Sequence, residues 1–242
     1  MRRVLLLEGH LNPYRRHLWR VIEGQYRSST LRLVDTFAEH DVLEALLESA
    51  KPPVPPDCAH LDYQFWSPFR YGRYPKPSRF RRAGRTPGVW YGAEDALTAI
   101  CEMIWGMLAF FAASQGTPLP RKPIEYTAVM ADIHSPFALD LTSPALAGEG
   151  AWMHPDNYDA CLALADAARD AGAEIIRYAS VRHPGHAANV AVLRCAAFAQ
   201  PNPIGSQTWR IQYGHDLVKT SCETTRQRYM LGVAATNLTF VD

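Results

Sequence analysis

SRFRRAGRTPGVWYGAEDALTAICEM, residues 78–103, changes character halfway along, and that change sets the reading of the chain. Its first half carries Arg79, Arg81, Arg82 and Arg85 and no acid. GVWYGA (88–93) then reads as a short buried strand, and a helix begins near Glu94. Leu97, Ile100, Cys101, Ile104, Met107, Leu108 and Phe111 cover a broad face of that helix, which predicts that it is largely buried. Glu102 lies within it, and its helical neighbours are Thr98, Ala99, Trp105 and Gly106. Small residues on that stripe let another group approach closely. A lone carboxylate there costs several kcal/mol unless it is paired or protonated. Two readings follow: a salt bridge to one of the arginines, or a carboxylate held beside an anion-binding cluster for a substrate that carries phosphates and develops positive charge.

Working upstream, Lys and Arg occupy seven positions between Pro68 and Ala93: Arg70, Arg73, Lys76, Arg79, Arg81, Arg82 and Arg85. Phe69, Tyr71, Tyr74 and Phe80 are interleaved with them. Aromatic faces beside guanidinium forks suit a nucleotide or single-stranded nucleic acid, whereas the plain alternative is a solvated basic face. Further upstream, Phe37, Val42, Leu43, Leu46 and Leu47 keep helical spacing after an apolar alternation at Leu31 and Leu33. Thr36 and Glu39 form a capping box for that helix. KPPVPP (51–56) imposes an extended path and marks the candidate boundary between an N-terminal extension, 1–56, and the main domain, 57–242.

Downstream, IEYTAVMADI (124–133) is strand-like, and NYDACLALADAARDAG (157–172) is an amphipathic helix with Asp156 as N-cap and Gly172 as its stop. EIIRYASVR and NVAVLRCAAF read as two strands joined by HPGHAA, and SQTWRIQYG as another. Strands and helices mix without regular βαβ alternation, which predicts an α+β fold.

The bulk composition narrows the function classes. A net charge of +1 across 242 residues gives no global field for nucleic acid or membrane, so any charge signal is local. The five cysteines are widely spaced with no C-x-x-C pair, an argument against a disulfide framework and a zinc knuckle and in favour of the reducing cytoplasm. Val4–Leu7 is too short for a signal peptide core. MIWGMLAFFAAS (103–114) falls short of the roughly 20 residues of a membrane span and reads as a core helix. His183 and His186 lack further ligands nearby and read as a polar loop, so no metal is expected.

Taken in order, Arg70-Tyr71, SRF with Arg79, GVWYGAEDALTAICE with Tyr91 and Glu102, and RYASVRHPGHAANVAVLR with Ser180 resemble the RES domain over roughly residues 65–200. Glu102 falls eleven residues after Tyr91, and a Tyr-x-Ser-Val-Arg run precedes an Asn-containing strand. The resemblance implies an ADP-ribosyltransferase-like split β-sheet core with surrounding helices. It also implies a bacterial toxin, paired with an Xre-type antitoxin, that consumes NAD as substrate and needs no separate cofactor. Residue by residue, it implies that Arg79 holds the pyrophosphate and Arg70 a second phosphate or ribose. Tyr71 and Tyr91 would line the nicotinamide-ribose pocket, Glu102 would be the catalytic carboxylate, and Ser180 would bond the substrate or position Glu102. Where relatives carry a Gly-Gly-Arg-Trp-like stretch this chain has Ser78-Arg79-Phe80, and Arg73 competes with Arg70 as the first family arginine.

The chemistry agrees with this resemblance. Loss of nicotinamide develops oxocarbenium character at the sugar, so a nearby carboxylate stabilises charge present mainly in the transition state. If inorganic phosphate is the acceptor, Arg82 is available to bind it. Phosphorolysis, hydrolysis and transfer of ADP-ribose to a protein remain open as alternatives. From a different class, a non-catalytic nucleic-acid-binding module would use Arg70–Arg85. Direct nucleic-acid or membrane binding is not expected; a homo-oligomer is open.

Overall fold

The computed structural model describes residues 7–23, 30, 33–147 and 151–241. Its organising element is strand β3 (Ile124–Asp140), and both edges of that strand are used. One edge carries β1 (Leu11–Glu23), antiparallel from Leu11↔Leu139 to Glu23↔Tyr126. The register shifts between Asn12 and Tyr14, where Pro13 has no N–H to give to a ladder. The other edge carries first β6 (Gly205–Gln212), antiparallel, and then β4 (Ile175–Ala179), parallel, at Ala138–Asp140. Strand β4 pairs with β5 (Ala188–Val192), β5 with β2 (Trp90–Ala93), and β2 returns to β1 through one register pair, Trp19↔Ala93. Five strands thus close a circuit, β1-β2-β5-β4-β3. From β6 an antiparallel meander runs outward through β7 (Leu217–Cys222), β8 (Arg228–Val233) and β9 (Leu238–Phe240).

The parity of β3 sorts the core. Tyr126 and Ala128 join Val21 of β1 against helix α3 (Ala96–Ala113), whereas Ala131 and Ile133 join Leu18 against Phe65 and Phe69 of helix α2 (Tyr63–Arg70). Both faces of β3 are covered along much of its length, so it lacks the apolar–polar alternation of a half-solvated strand, whereas Asn12, Pro13, Arg15, Arg16 and His17 of β1 are exposed. A third cluster packs Cys161, Leu164 and Ala168 of helix α4 (Asp159–Asp170) on Ile176 and Ala191.

Several expectations hold in detail. Helix α1 (Phe37–Ser49) has the capping box: Thr36 Oγ1 accepts from Glu39 N at 3.1 Å, and Glu39 Oε2 accepts from Thr36 N at 3.2 Å. Gly172 stops α4 at φ +82°, where a residue with a Cβ would be strained. The strands read at 88–93, 124–133 and 206–214 are present, as is the β4–β5 hairpin. Leu31 of the upstream alternation lies outside the described residues.

Others are corrected. Helix α3 starts at Ala96 behind Asp95, whose carboxylate accepts from both Thr98 N (2.7 Å) and Thr98 Oγ1 (2.6 Å). It is buried only as far as Ile104; Gly106, Ala109 and Phe110 are exposed, so its second half is not a core helix. Asp156 does not cap α4, because it pairs with Arg182. Cys58 and Cys195 form a disulfide that joins the turn before α2 to the turn after β5. They lie 137 residues apart, a separation at which spacing carries no signal. The division expected at residue 56 does not separate two sheets, since β1 walls the same circuit as β2 and β3. Of residues 33–56, α1 itself buries no residue.

Candidate active site

The first turns of α3, the β2 strand and the turn after β4 converge where β1 and β2 part. Ser180 follows β4 directly and is fully buried. Its Oγ accepts from the backbone N–H groups of Arg182 (3.1 Å) and His183 (2.9 Å), so its proton is directed elsewhere, to Glu102 Oε1 at 2.7 Å. Asn189, at the second position of β5 and buried, donates its Nδ2 to the same oxygen at 2.6 Å. Glu102 is therefore held by two neutral donors on one oxygen, and Oε2 accepts no hydrogen bond among the described residues. It forms no ion pair among them either, which sets aside the salt-bridge reading. The turn itself is braced by histidines: His186 Nδ1 meets Ser180 O at 2.7 Å, and His183 Nδ1 accepts from Gly185 N at 3.1 Å.

Glu102 lines a cavity of about 320 Å³ together with Arg79, Arg20, Tyr91, Tyr178 and Asn189. Arg79 is buried, and its Nη1 donates to the carbonyls of Trp152 (2.8 Å) and His154 (3.1 Å). Its guanidinium lies 4.8 Å from the centre of the Tyr158 ring. No carboxylate neutralises it among the described residues. The same holds for Arg20, which lies 5.6 Å from the centre of the Trp90 ring. Burial lowers its guanidinium to about 10, still a cation at neutral pH. Two partly desolvated cations without counter-charges, facing one cavity with a carboxylate, form a site that attracts a di-anion and resists its departure. Tyr91 closes a wall: its Oη meets Ser78 Oγ at 2.8 Å and accepts from Phe80 N at 3.2 Å, and burial pushes its phenol up. A Cβ on neighbouring Gly92 would stand 2.4 Å from the Trp90 ring and 3.1 Å from Trp19 O, so only glycine lets β1 and β2 meet there.

Of the residues singled out from sequence, Glu102, Arg79 and Tyr91 line the cavity, and Ser180 sits directly behind Glu102. Arg70, Tyr71 and Arg82 do not line it. Arg70 turns the other way, pairing with Glu48 of α1 at 2.6 Å and lying 5.3 Å from the centre of the Trp66 ring. Tyr71 is exposed beside Tyr74, and Arg82 pairs with Asp166 of α4 at 2.7 Å. Arg73 is exposed. The basic segment is thus dispersed among local partners and does not present one continuous surface.

Sequence reasoning missed Arg20 and Tyr158, and it read Tyr178, Arg182 and Asn189 as parts of a motif without giving them a place in the site. A signal existed for Arg20: a cation flanked by Leu18-Trp19 and Val21-Ile22 is a buried charge in an apolar strand. Arg182 closes one side, lying 4.4 Å from the centre of the Trp105 ring and donating to Pro155 O at 2.8 Å.

Comparison with known proteins agrees with the order of these motifs. The family model described as RES domain matches residues 54–214. No curated protein matches. Among solved structures, the chain is similar to one in the crystal structure of the M.tuberculosis MbcT-MbcA toxin-antitoxin complex, with 14% identity and a TM-score of 0.48. That likeness covers 84% of this chain and 89% of the other.

Proposed function

The chain belongs to the RES domain family, and on that footing we propose that it is an NAD-cleaving enzyme, the toxin of a toxin–antitoxin pair. The observation that carries this reading is Glu102, held by Ser180 and Asn189 in a cavity that also receives two arginines without carboxylate partners among the described residues. Arg20 and Arg79 take the pyrophosphate, and the rings of Tyr91 and Tyr178 flank the nicotinamide riboside.

The scissile bond joins the sugar C1′ to the nicotinamide nitrogen. As it breaks, its electron pair passes to the pyridinium ring, nicotinamide leaves neutral, and positive charge appears on the sugar. Glu102 Oε2 faces that charge. Because Ser180 and Asn189 both bond Oε1, the carboxylate keeps its orientation without losing its charge to an ion pair, which is electrostatic preorganisation. The leaving group needs no proton, so no general acid is required, and positioning with charge stabilisation suffices. An acceptor, whether water, phosphate or a protein side chain, then attacks C1′ to form the new bond, and a water or side-chain acceptor releases its proton to solvent.

The test is nicotinamide release from NAD by the purified protein, with and without inorganic phosphate. Release is expected, with ADP-ribose or its phosphorylated form as co-product. Glu102→Gln, which keeps the shape and both donors' acceptor, is expected to lower turnover by about 10²–10⁴-fold and to abolish growth arrest in a host. Native protein free of antitoxin that releases no nicotinamide would overturn the reading.

A further inference from the structure

A second cavity, about 630 Å³, adjoins the first and shares three walls with it: Arg20, Val21 and Met103. The first cavity alone stands at the lower bound of the roughly 300–1,000 Å³ typical of small-molecule sites, less than a whole dinucleotide needs. The second is bounded by Tyr63, Gln64 and Ser67 of α2, Thr127 and Val129 of β3, and Ser206 of β6. Ile22, Thr127 and Val129 give it an apolar floor, because Ile22↔Thr127 and Arg20↔Val129 are register pairs on one face of the sheet. Arg20 stands at the junction, a cation open to both sides.

Gln64 is the unusual group in that wall. Its side-chain oxygen is buried with no hydrogen-bond partner among the described residues, an omission that costs stability. Its backbone is already committed: Gln64 N donates to Asp62 Oδ1 at 2.9 Å, and Gln64 O accepts from Trp90 Nε1 at 3.1 Å. The side chain is therefore anchored at its base while its carboxamide lacks an acceptor's partner. Gln64 lines the cavity, and the terminal torsion of a glutamine is broad and roughly two-fold, so rotation about it exchanges the positions of its oxygen and nitrogen.

We propose that the second cavity seats the adenosine half of the dinucleotide and that Gln64 reads its base, with Arg20 bridging the two cavities at the pyrophosphate; this rests on the NAD reading above. A carboxamide offers an acceptor beside a donor, the complement of the adenine edge, where the 6-amino group donates and a ring nitrogen accepts. The edge in question is that of N7 and the 6-position, where hypoxanthine replaces the amino group with an oxygen and so presents two acceptors and no donor. The Gln64 oxygen then stays unpaired, and a site built to bond a donor rejects an analogue that lacks it.

The experiment compares NAD with nicotinamide hypoxanthine dinucleotide on the full-length protein, by nicotinamide release. NAD is expected to be preferred by about tenfold or more in kcat/KM, the difference lying in KM because the base is remote from the reacting bond. Gln64→Met is expected to bring the ratio close to one, mainly by raising the KM for NAD. Ser206→Trp, which fills the cavity from a different element, is expected to raise the same KM and also erase the preference, so the result does not depend on α2 folding normally in one variant. Equal cleavage of the two dinucleotides by the native protein, or a ratio unmoved in both variants, overturns base reading while leaving NAD cleavage intact. If the native protein cleaves neither, the functional reading fails. Calorimetric titration with ADP-ribose and its hypoxanthine counterpart then decides the second cavity: preference for ADP-ribose lost in Gln64→Met supports it, and equal or absent binding overturns it.

Discussion

Replacing Ser180 with alanine removes three hydrogen bonds through a single oxygen. The hydroxyl donates to Glu102 and accepts from Arg182 N and His183 N, and the residue has no exposure through which water could substitute. Each buried N–H left without an acceptor costs about 1–3 kcal/mol, so the two together, after partial relaxation of the turn, amount to about 2–4 kcal/mol. For a chain of this size each kcal/mol lowers Tm by about 2–4 °C, which places the expected fall at roughly 4–16 °C. Asn189→Ala supplies the control, since its amide bonds Glu102 and no backbone N–H depends on it. Both variants remove one donor from the carboxylate and are expected to lower nicotinamide release by about tenfold or more. Only Ser180→Ala is expected to carry the larger thermal penalty. The measurements are differential scanning fluorimetry and initial rates at saturating NAD. A Ser180→Ala protein that melts within 2 °C of native, or that turns over at more than a third of the native rate, would refute the claim that this hydroxyl both ties the turn and aims Glu102.

Arg79→Lys keeps the charge but loses the planar guanidinium, whose Nη1 is anchored on two carbonyls while its other nitrogens are left for a phosphate; it is expected to raise KM for NAD about tenfold or more, whereas Arg70→Lys, outside the cavity, leaves KM within about twofold. Reduction of the Cys58–Cys195 bond releases a loop closed by residues 137 apart and is expected to cost about 2–4 kcal/mol, read as a lower urea midpoint in the presence of reductant; identical midpoints would count against the pairing. For Glu94, burial alone would raise the carboxyl, but the Arg177 fork, its charge and the Tyr14 hydroxyl outweigh it and hold the group below its ordinary 4.5. Its contribution is therefore present above that value and disappears as pH falls through the depressed one. Glu94→Gln is expected to flatten the acid limb of stability against pH, and an unchanged limb would show that other carboxylates govern it.

What could be read from sequence was local. The capping box at Thr36 and Glu39, the stop at Gly172 and the Tyr91-to-Glu102 spacing are each written within a few residues, and each stands in the structure as read. Glu102 was legible because a carboxylate in an apolar helix needs an explanation wherever that helix packs. Strand β1 was not, since its buried Leu18 and Val21 lie three residues apart, its first half is largely exposed, and three arginines and a histidine interrupt any apolar–polar alternation. Arg70 misled for the opposite reason. Its proximity to Arg79 in sequence suggested a common ligand, but α2 carries it toward Glu48, a partner on another helix. Cys58 and Cys195, like Asn189 and Glu102, meet only through the closed circuit of strands, and no spacing rule spans such separations.

The circuit has one thin joint. Where β1 and β3 are laced along their whole length, β1 and β2 meet at a single rung, Trp19 and Ala93, beside a glycine that tolerates no side chain. That rung is the narrowest join of the circuit, and Trp19 belongs to the walls of the space holding Glu102. A molecule seated there touches the strand on one side of that join and the strand on the other, so what it binds is also what holds the two ends of the circuit together.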